Sequence, residues 1–315
     1  MIDLRLHCVG DICARQATLD AFAADPTCLD AARAVLERAD VRFANLEAPL
    51  VADGRALFST GVRLKSPPAL VGVLQHLGFE VVTLANNHML DYGRIGLADT
   101  LAAAKAAGFP TVGAGADAQA AWAPWITTVR GTKIAYIGVS DVQELAPSWI
   151  ATPTRSGVAI ANDRARTLAA VRAAKREADV VVVFMHWGTE GDSCPDPSQK
   201  SLAIKLSAAG ADIIVGAHVH TLQGNGWLGH TFVAYGMGNF LWYINSWSTQ
   251  TGVLRLTLHT TPTGALASTP LDARFIPAIV SKTGQPVVQT GAKGAAIAKR
   301  YASLRACAGL SAAPH

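Results

Sequence analysis

The chain has 315 residues, half of them hydrophobic and 16% charged, a globular composition with enough apolar material for a large core. Its formal charge of +4, with no stripe of lysine or arginine, argues against nucleic acid as a partner and leaves room for an acidic substrate. No apolar run approaches the ~18 residues of a membrane helix, and Asp3 and Arg5 interrupt the N-terminal stretch, unlike a signal peptide.

In chain order, Leu4–Val9 alternates and predicts a first strand. Cys28–Asp40 has helical spacing, and Val41–Asn45 fits a second strand. Pro67–Gly78 predicts a helix with Pro near its start and Gly at its end. Glu80–Leu84 is a buried-type strand and Ile95–Gly108 a helix. Ile126–Arg130 and Lys133–Val139 form a hairpin pattern through Gly131 and Thr132. Two helix–strand pairs follow: Asn162–Ala178 with Asp179–Met185, and Ser198–Gly210 with Asp212–Val215. Beyond about residue 225, the pattern turns to strands, at Thr231–Tyr235, Gly252–His259 and Leu271–Ile276. The tail Gln289–His315 holds one helix, Gly294–Ala306, and a frayed end. The order βαβα followed by β predicts an α/β core completed by antiparallel strands. Residues 1–290 are read as one domain and 291–315 as a C-terminal helix and tail.

The cysteines, Cys8, Cys13, Cys28, Cys194 and Cys307, are odd in number and form no CxxC pair. Reduced thiols in a cytosol are expected, hence a soluble cytoplasmic protein with no membrane partner. Cys8, Cys28 and Cys307 are read as small hydrophobes.

Each strand of the α/β half ends in a polar cluster. Strand one ends at Gly10-Asp11-Ile12-Cys13, strand two at Asn45-Leu46-Glu47, strand three at Asn86-Asn87-His88. The strand at 179–185 ends at His186-Trp187-Gly188, and that at 212–215 at Gly216-Ala217-His218-Val219-His220. Ligands of open α/β sheets bind beyond the carboxyl ends of strands, so five such clusters predict one crevice. Asp, Glu, Asn and His are the donors that suit Zn²⁺, Mn²⁺ or Fe²⁺. In a β-like segment His218 and His220 point to one side. Glycines 10, 188 and 216 allow tight backbone turns beside the ions. Cys13, two residues after Asp11, is placed where a ligand projects. His7, His76, His230 and His259 end no strand in a polar cluster and are read as ordinary packed or surface histidines.

The stretches GDI (10–12), NLEAPL (45–50), LANNHMLDYG (84–93), HWGTE (186–190), GAHVHTLQG (216–224) and YGMGNF (235–240) resemble, in this order, the calcineurin-like metallophosphoesterase superfamily. They are most similar to its CapA branch, named for capsule and poly-γ-glutamate biosynthesis. The resemblance implies a four-layer α/β/β/α sandwich and one or two divalent transition metals (Zn, Mn or Fe), with no organic cofactor. Metal one would take Asp11, Glu47 and His220. Metal two would take Glu47, Asn87, His186 and His218, with Glu47 bridging. His88 would stand unligated beside them as a proton donor, and Asn239 would be structural. Two departures stand out: the usual Asp-x-His is Asp11-Ile12-Cys13, and the usual second-motif Asp is Glu47, which is normal for the CapA branch. Cys13 would then replace the missing imidazole as a thiolate, favouring Zn²⁺.

Two chemistries fit. Paired metals can activate a water toward a phosphoester or amide, with His88 protonating the leaving group. Alternatively, a metal can acidify a peptide Cα–H, with His88 and Asp11 flanking it, and the result is epimerisation. Polyglutamate-making members of the branch look membrane-anchored, so the absence of an anchor favours the second. A peptide substrate is expected, with a ribosomally made precursor among the candidates, as in the lasso-peptide epimerase branch; hydrolysis is the alternative. Arg63 and Lys65, between the second strand and the next helix, are candidates to meet a peptide carboxylate. Trp187, Trp242, Tyr243 and Trp247 are candidates for an aromatic pocket.

Overall fold

The structure, a computed structural model, describes residues 2–315 apart from 53, 55, 57–61, 143–145, 244–246 and 262–265. The chain opens with β1 (Ile2–Cys13), α1 (Gln16–Ala24), a 3₁₀ turn, α2 (Asp30–Leu36) and β2 (Val41–Leu46). Next come α3 (Leu70–His76), β3 (Val81–Thr83), α4 (Gly93–Ala106), β4 (Thr111–Val112) and β5 (Ala114–Gly115). The middle holds α5 (Ala118–Trp122), β6 (Trp125–Val129), β7 (Thr132–Ser140), α6 (Ala146–Trp149), β8 (Gly157–Val158) and α7 (Arg164–Glu177). Then follow β9 (Val180–Trp187), α8 (Pro197–Ala209), β10 (Ile213–His218), β11 (Leu222–Leu228), β12 (Thr231–Met237) and β13 (Asn239–Trp242). The chain finishes with β14 (Gln250–Thr260), β15 (Leu266–Val280), β16 (Pro286–Val288), α9 (Gly291–Ser303) and α10 (Arg305–Ala308).

Among the described residues, one sheet runs β16-β15-β14-β1-β2-β3-β4, with β13 also pairing β1, and a second runs β11-β12-β10-β9-β7-β6. The two sheets face each other. The strand period of two sorts their residues. Val180, Val182 and Phe184 of β9 meet Leu4, Leu6, Phe43 and Val81 of the first sheet in the central core. Val181, Val183 and Met185 turn the other way, onto Val171 of α7 and Leu202 and Leu206 of α8. The opposite side of the first sheet is covered by Leu19, Leu36, Leu74 and Leu97 from α1 to α4. The layers are therefore α/β/β/α, as the resemblance implied. Strands buried on both faces read as unbroken apolar runs, which is why VVVVF shows no alternation.

Helix ends follow local chemistry. Asp196 and Gln199 form a reciprocal capping box at the start of α8, and Gly210, at φ 108°, ends it. The predicted helix Cys28–Asp40 shrinks to Asp30–Leu36, because a 3₁₀ turn over Pro26–Leu29, capped by Asp25, precedes it. Helix α1 escaped the sequence reading because only Thr18 and Leu19 of its nine residues are buried, too thin an apolar stripe to register.

Two expectations about the chain's second half need correction. The tail is not frayed: Ile297 and Tyr301 of α9 enter the central core, and Ser311 pairs its backbone with Trp227 in both directions at 2.9 Å. The thiols are not all reduced either. Cys194, before α8, is disulfide-bonded to Cys307 of α10, leaving Cys8, Cys13 and Cys28 free. Cys307 is thus a covalent tie and not a plain hydrophobe. Disulfides persist in oxidising compartments, so the thiol argument for a cytosolic location falls. Among the described residues, no helix is long and apolar enough to cross a membrane.

Candidate metal centre

The five polar clusters do meet, but at the common edge of two facing sheets and not at one open sheet's crevice. Asp11 lies near the end of β1, and Glu47 and Asn87 follow β2 and β3 of the first sheet; His186 and His218 lie at the ends of β9 and β10 of the second, and His220 follows β10. Glu47, His186 and His218 form one donor group and Asp11, Glu47 and His220 another; within each, the donor atoms lie within 4.8 Å of one another. All five residues are buried, and Glu47 belongs to both groups. The resemblance named these residues, with Asn87 in addition, as candidate ligands, and Glu47 is the residue common to both groups.

Distances tie the groups together. Nε2 of His186 lies 3.4 Å from Oε1 of Glu47 and 2.7 Å from Oδ1 of Asn87. Nε2 of His220 is 3.8 Å from the same Glu47 oxygen, while its Nδ1 is 3.3 Å from Oδ2 of Asp11. The His186 and His218 rings are 4.7 Å apart. Behind the donors runs an amide network. Asn86 Nδ2 donates to Asn45 Oδ1 (3.1 Å), and Asn45 Nδ2 donates to Asp11 Oδ1 (2.9 Å) and lies 3.2 Å from His186 Nδ1. Asn239 Oδ1 lies 2.7 Å from His220 Nδ1, which turns Nε2 toward the donor group.

The electrostatics suit a divalent ion. Both carboxylate oxygens of Glu47 and Nδ1 of His218 are buried without a hydrogen-bond partner. A buried, unpartnered carboxylate is costly unless a cation meets it. Burial, reinforced by the charge of Asp11, pushes the Glu47 carboxyl well above its usual range. Burial also holds His186 and His218 well below the ordinary imidazole range, helped by neighbouring imidazoles. Both are therefore neutral at pH 7, the form that ligates metals. For His220, burial works downward too, but hydrogen bonding and charge from Asp11, with Asn239, outweigh it and raise the group. Carboxylate, amide and imidazole donors of this kind fit one or two divalent transition ions.

His88 stands beside the donors, half-buried. Its Nδ1 lies 2.8 Å from Oδ2 of Asp91, which also accepts from the Leu64 amide at 2.7 Å, and its backbone N–H donates to Asn86 Oδ1. Asp91, Asn45 and Asn86 had no assigned role in the sequence reading; their signal was present in the same motif stretches, as polar residues adjoining the ligands.

Four sequence expectations fail locally. Cys13 does not join the donors. The register of β1 shifts between Asp11 and Ile12, so the two-residue rule that would align Cys13 with Asp11 breaks. Its thiol lies 3.8 Å from Ser66 Oγ among Ala48, Leu64 and Trp242, and burial pushes it far above the usual thiol range. Trp187 does not line a pocket. It is fully buried between α8 and the second sheet, stacked on Tyr235, and its indole donates to the Tyr235 carbonyl at 2.9 Å. His218 and His220 converge by a different route from strand pleating: both adopt left-handed backbone, at φ 84° and 53°, conformations non-glycine residues hold only under tertiary constraint. Of the three glycines, only Gly188 uses positive φ (89°); Gly10 and Gly216 admit close backbone, since a Cβ would sit 1.7 Å from the Gly238 carbonyl oxygen and 1.9 Å from that of Tyr235. Arg63 and Lys65 are exposed and lie outside the donor groups, along a pocket that also includes Tyr243.

A four-layer sandwich with a carboxylate shared between two donor groups at the sheets' common edge defines the calcineurin-like metallophosphoesterase fold. Solved structures agree on the fold: NAD nucleotidase from Haemophilus influenzae superposes with a TM-score of 0.52 at 17% identity, over 99% of this chain and 57% of that one. A putative 5'-nucleotidase from Staphylococcus aureus does so at 0.51 and 16%, over 96% and 58%. Within that class, residues 5–243 match the family model described as "Bacterial capsule synthesis protein PGA_cap", and the chain belongs to this family. Capsule biosynthesis protein CapA of Bacillus anthracis is 34% identical over 65% of this chain and 51% of its own length. PGA biosynthesis protein CapA of Bacillus subtilis is 35% identical over 67% and 55%. The chain thus spans about half the length of the curated relatives it matches.

Proposed function

We propose that this protein is a metal-dependent hydrolase acting on a carboxylate-rich chain joined by amide bonds, with γ-glutamyl polymer as the first candidate substrate. The observation that carries this reading is the Glu47 carboxylate, buried, unpartnered and shared by two donor groups. The names of the capsule-synthesis relatives support the substrate class. Divalent ions at such a centre would polarise the scissile carbonyl and lower the pKa of water there. The chain's own residues do the rest. Asn87, His186 and His218 shape one side of the centre, and Asp11 and His220 the other. His88, oriented by Asp91, sits where it can protonate a leaving nitrogen.

Epimerisation, the reading favoured from sequence, needs two acid–base groups free to flank a Cα. Asp11 was to be one. Its Oδ1 accepts from Asn45, its Oδ2 accepts from the His218 amide at 3.3 Å, and it belongs to a donor group. That environment suits a ligand better than a mobile base. A peptide substrate is retained in both readings.

The deciding experiment incubates manganese- or zinc-loaded protein with short γ-glutamyl oligomers in D₂O and follows mass and new amino termini. Chain shortening with gain of water supports hydrolysis. Deuterium at Cα with unchanged chain length would overturn it in favour of epimerisation.

A further inference from the structure

Beside the metal centre lies an open pocket of about 810 Å³ that the catalytic reading does not use. Three cationic residues line it, Arg15, Arg63 and Lys65, together with Tyr92, Tyr243 and the first turn of α1. The Arg15 guanidinium sits 4.0 Å over the Tyr243 ring, and the Lys65 ammonium 5.8 Å from the Tyr92 ring. No carboxylate among the described residues pairs with Arg15 or Lys65. The N-terminus of α1 points its partial positive charge to the same place, with no side-chain cap and no acidic residue in its first turn.

Both walls are continuous with the metal centre. On one side the His220 and Trp242 rings are 4.8 Å apart, and Trp242 stacks on Tyr243 at 6.5 Å. On the other, Tyr92 follows Asp91, the residue that holds His88 at 2.8 Å. The pocket's lining is thus linked to the donors through adjoining side chains. Aromatic rings under the cations hold them in place without neutralising them, as an internal carboxylate would.

We propose that this pocket is a carboxylate-binding subsite, in which Arg15, Arg63 and Lys65 hold an acidic side chain or terminus of the peptide substrate away from the reacting bond. The subsite deepens the hydrolase reading and rests on it for the identity of the substrate, but it is testable without turnover. Guanidinium binds carboxylate bidentately, which gives Arg15 the specificity and Lys65 a general charge.

The test measures equilibrium binding of a blocked γ-glutamyl trimer to the metal-loaded protein, following the tryptophan fluorescence to which Trp242 contributes. The isosteric γ-linked trimer with each free α-carboxylate replaced by a carboxamide, and inorganic phosphate, serve as comparisons. The acidic trimer should bind at least roughly 10-fold more tightly than the neutral one, with affinity falling as salt rises. Arg15→Gln and Lys65→Gln, both at exposed positions, should each weaken it roughly 10-fold while circular dichroism and metal content stay unchanged. Equal binding of acidic and neutral trimers, phosphate binding as tightly as the trimer, or indifference to both substitutions would overturn the subsite. If binding behaves as expected but no bond is cleaved, the subsite stands and the hydrolase assignment falls.

Discussion

His186, at the end of β9 in one sheet, places its Nε2 3.4 Å from Oε1 of Glu47, just beyond β2 in the other. That contact joins the two halves of the sandwich through groups that are both fully buried. Hydrophobic burial drives the sheets together, but the interface ends here on a carboxylate with no hydrogen bond. The fold thus carries an electrostatic cost at the position where a cation would relieve it.

Removing that cost should have opposite effects with and without metal. In metal-free protein, Glu47→Gln is expected to raise unfolding free energy by about 1–3 kcal/mol, because a neutral amide replaces an unpartnered buried carboxylate. In protein loaded with manganese or zinc, the same substitution should lower stability and empty both sites. Denaturant melts alongside metal analysis read both signs; equal stability change in the two states would refute the bridging role. Asp11→Asn should lose one ion and His186→Ala the other.

His88→Ala should reduce turnover by about 100-fold or more, with metal content unchanged, since a positioned general acid contributes about 10²–10⁴-fold. Asp91→Asn, which removes the carboxylate 2.8 Å from His88 Nδ1, should cost less and should lower kcat with metal content unchanged. A His88→Ala variant that loses its metal would instead make His88 a ligand.

The Cys194–Cys307 bond closes a loop of 113 positions. Chain-entropy reasoning assigns such a loop about 5 kcal/mol of stability. Cys307→Ser should therefore lower the melting temperature measurably, and a reductant should bring the wild type down to the variant. No response to reductant would mean that the tie contributes nothing in solution.

His7 supplies a pH dependence remote from the metals. Burial first, then the charges of Arg255 and Arg42, push its pKa from 6.5 down to about 4, and Arg255 Nε donates to its Nε2 at 2.9 Å. Between pH 6.5 and 4 the unfolded chain takes up a proton that the folded one refuses. Stability attributable to this residue is constant above 6.5 and falls as pH drops through that window. Subtracting the pH–stability curve of His7→Gln from that of wild type should isolate the fall; parallel curves would contradict it.

The polar residues of the candidate metal centre were legible as a linear pattern because each lies at or just beyond the end of a strand, and strand ends are where a sheet presents side chains to ligand. The same reasoning misplaced Cys13, since a register shift in β1 between Asp11 and Ile12 has no local sequence marker. It misassigned Trp187 because a tryptophan beside a ligand reads alike whether it points into the site or into the helix layer behind it.

What the amino-acid order determined is the set of elements with strong periodicity or caps, and the polar clusters at strand ends that single out Asp11, Glu47, Asn87, His186, His218 and His220 as candidate donors. Both depend on neighbours within a few positions along the chain. Only the tertiary structure decided that the donors come from two sheets and not one, that His218 and His220 converge through left-handed backbone, that Cys194 meets Cys307, and that Arg15 shares a pocket with Arg63 and Lys65. Each of these is a contact between segments distant in sequence. Such pairings are selected by the packing of the whole core, whose energy no local window contains.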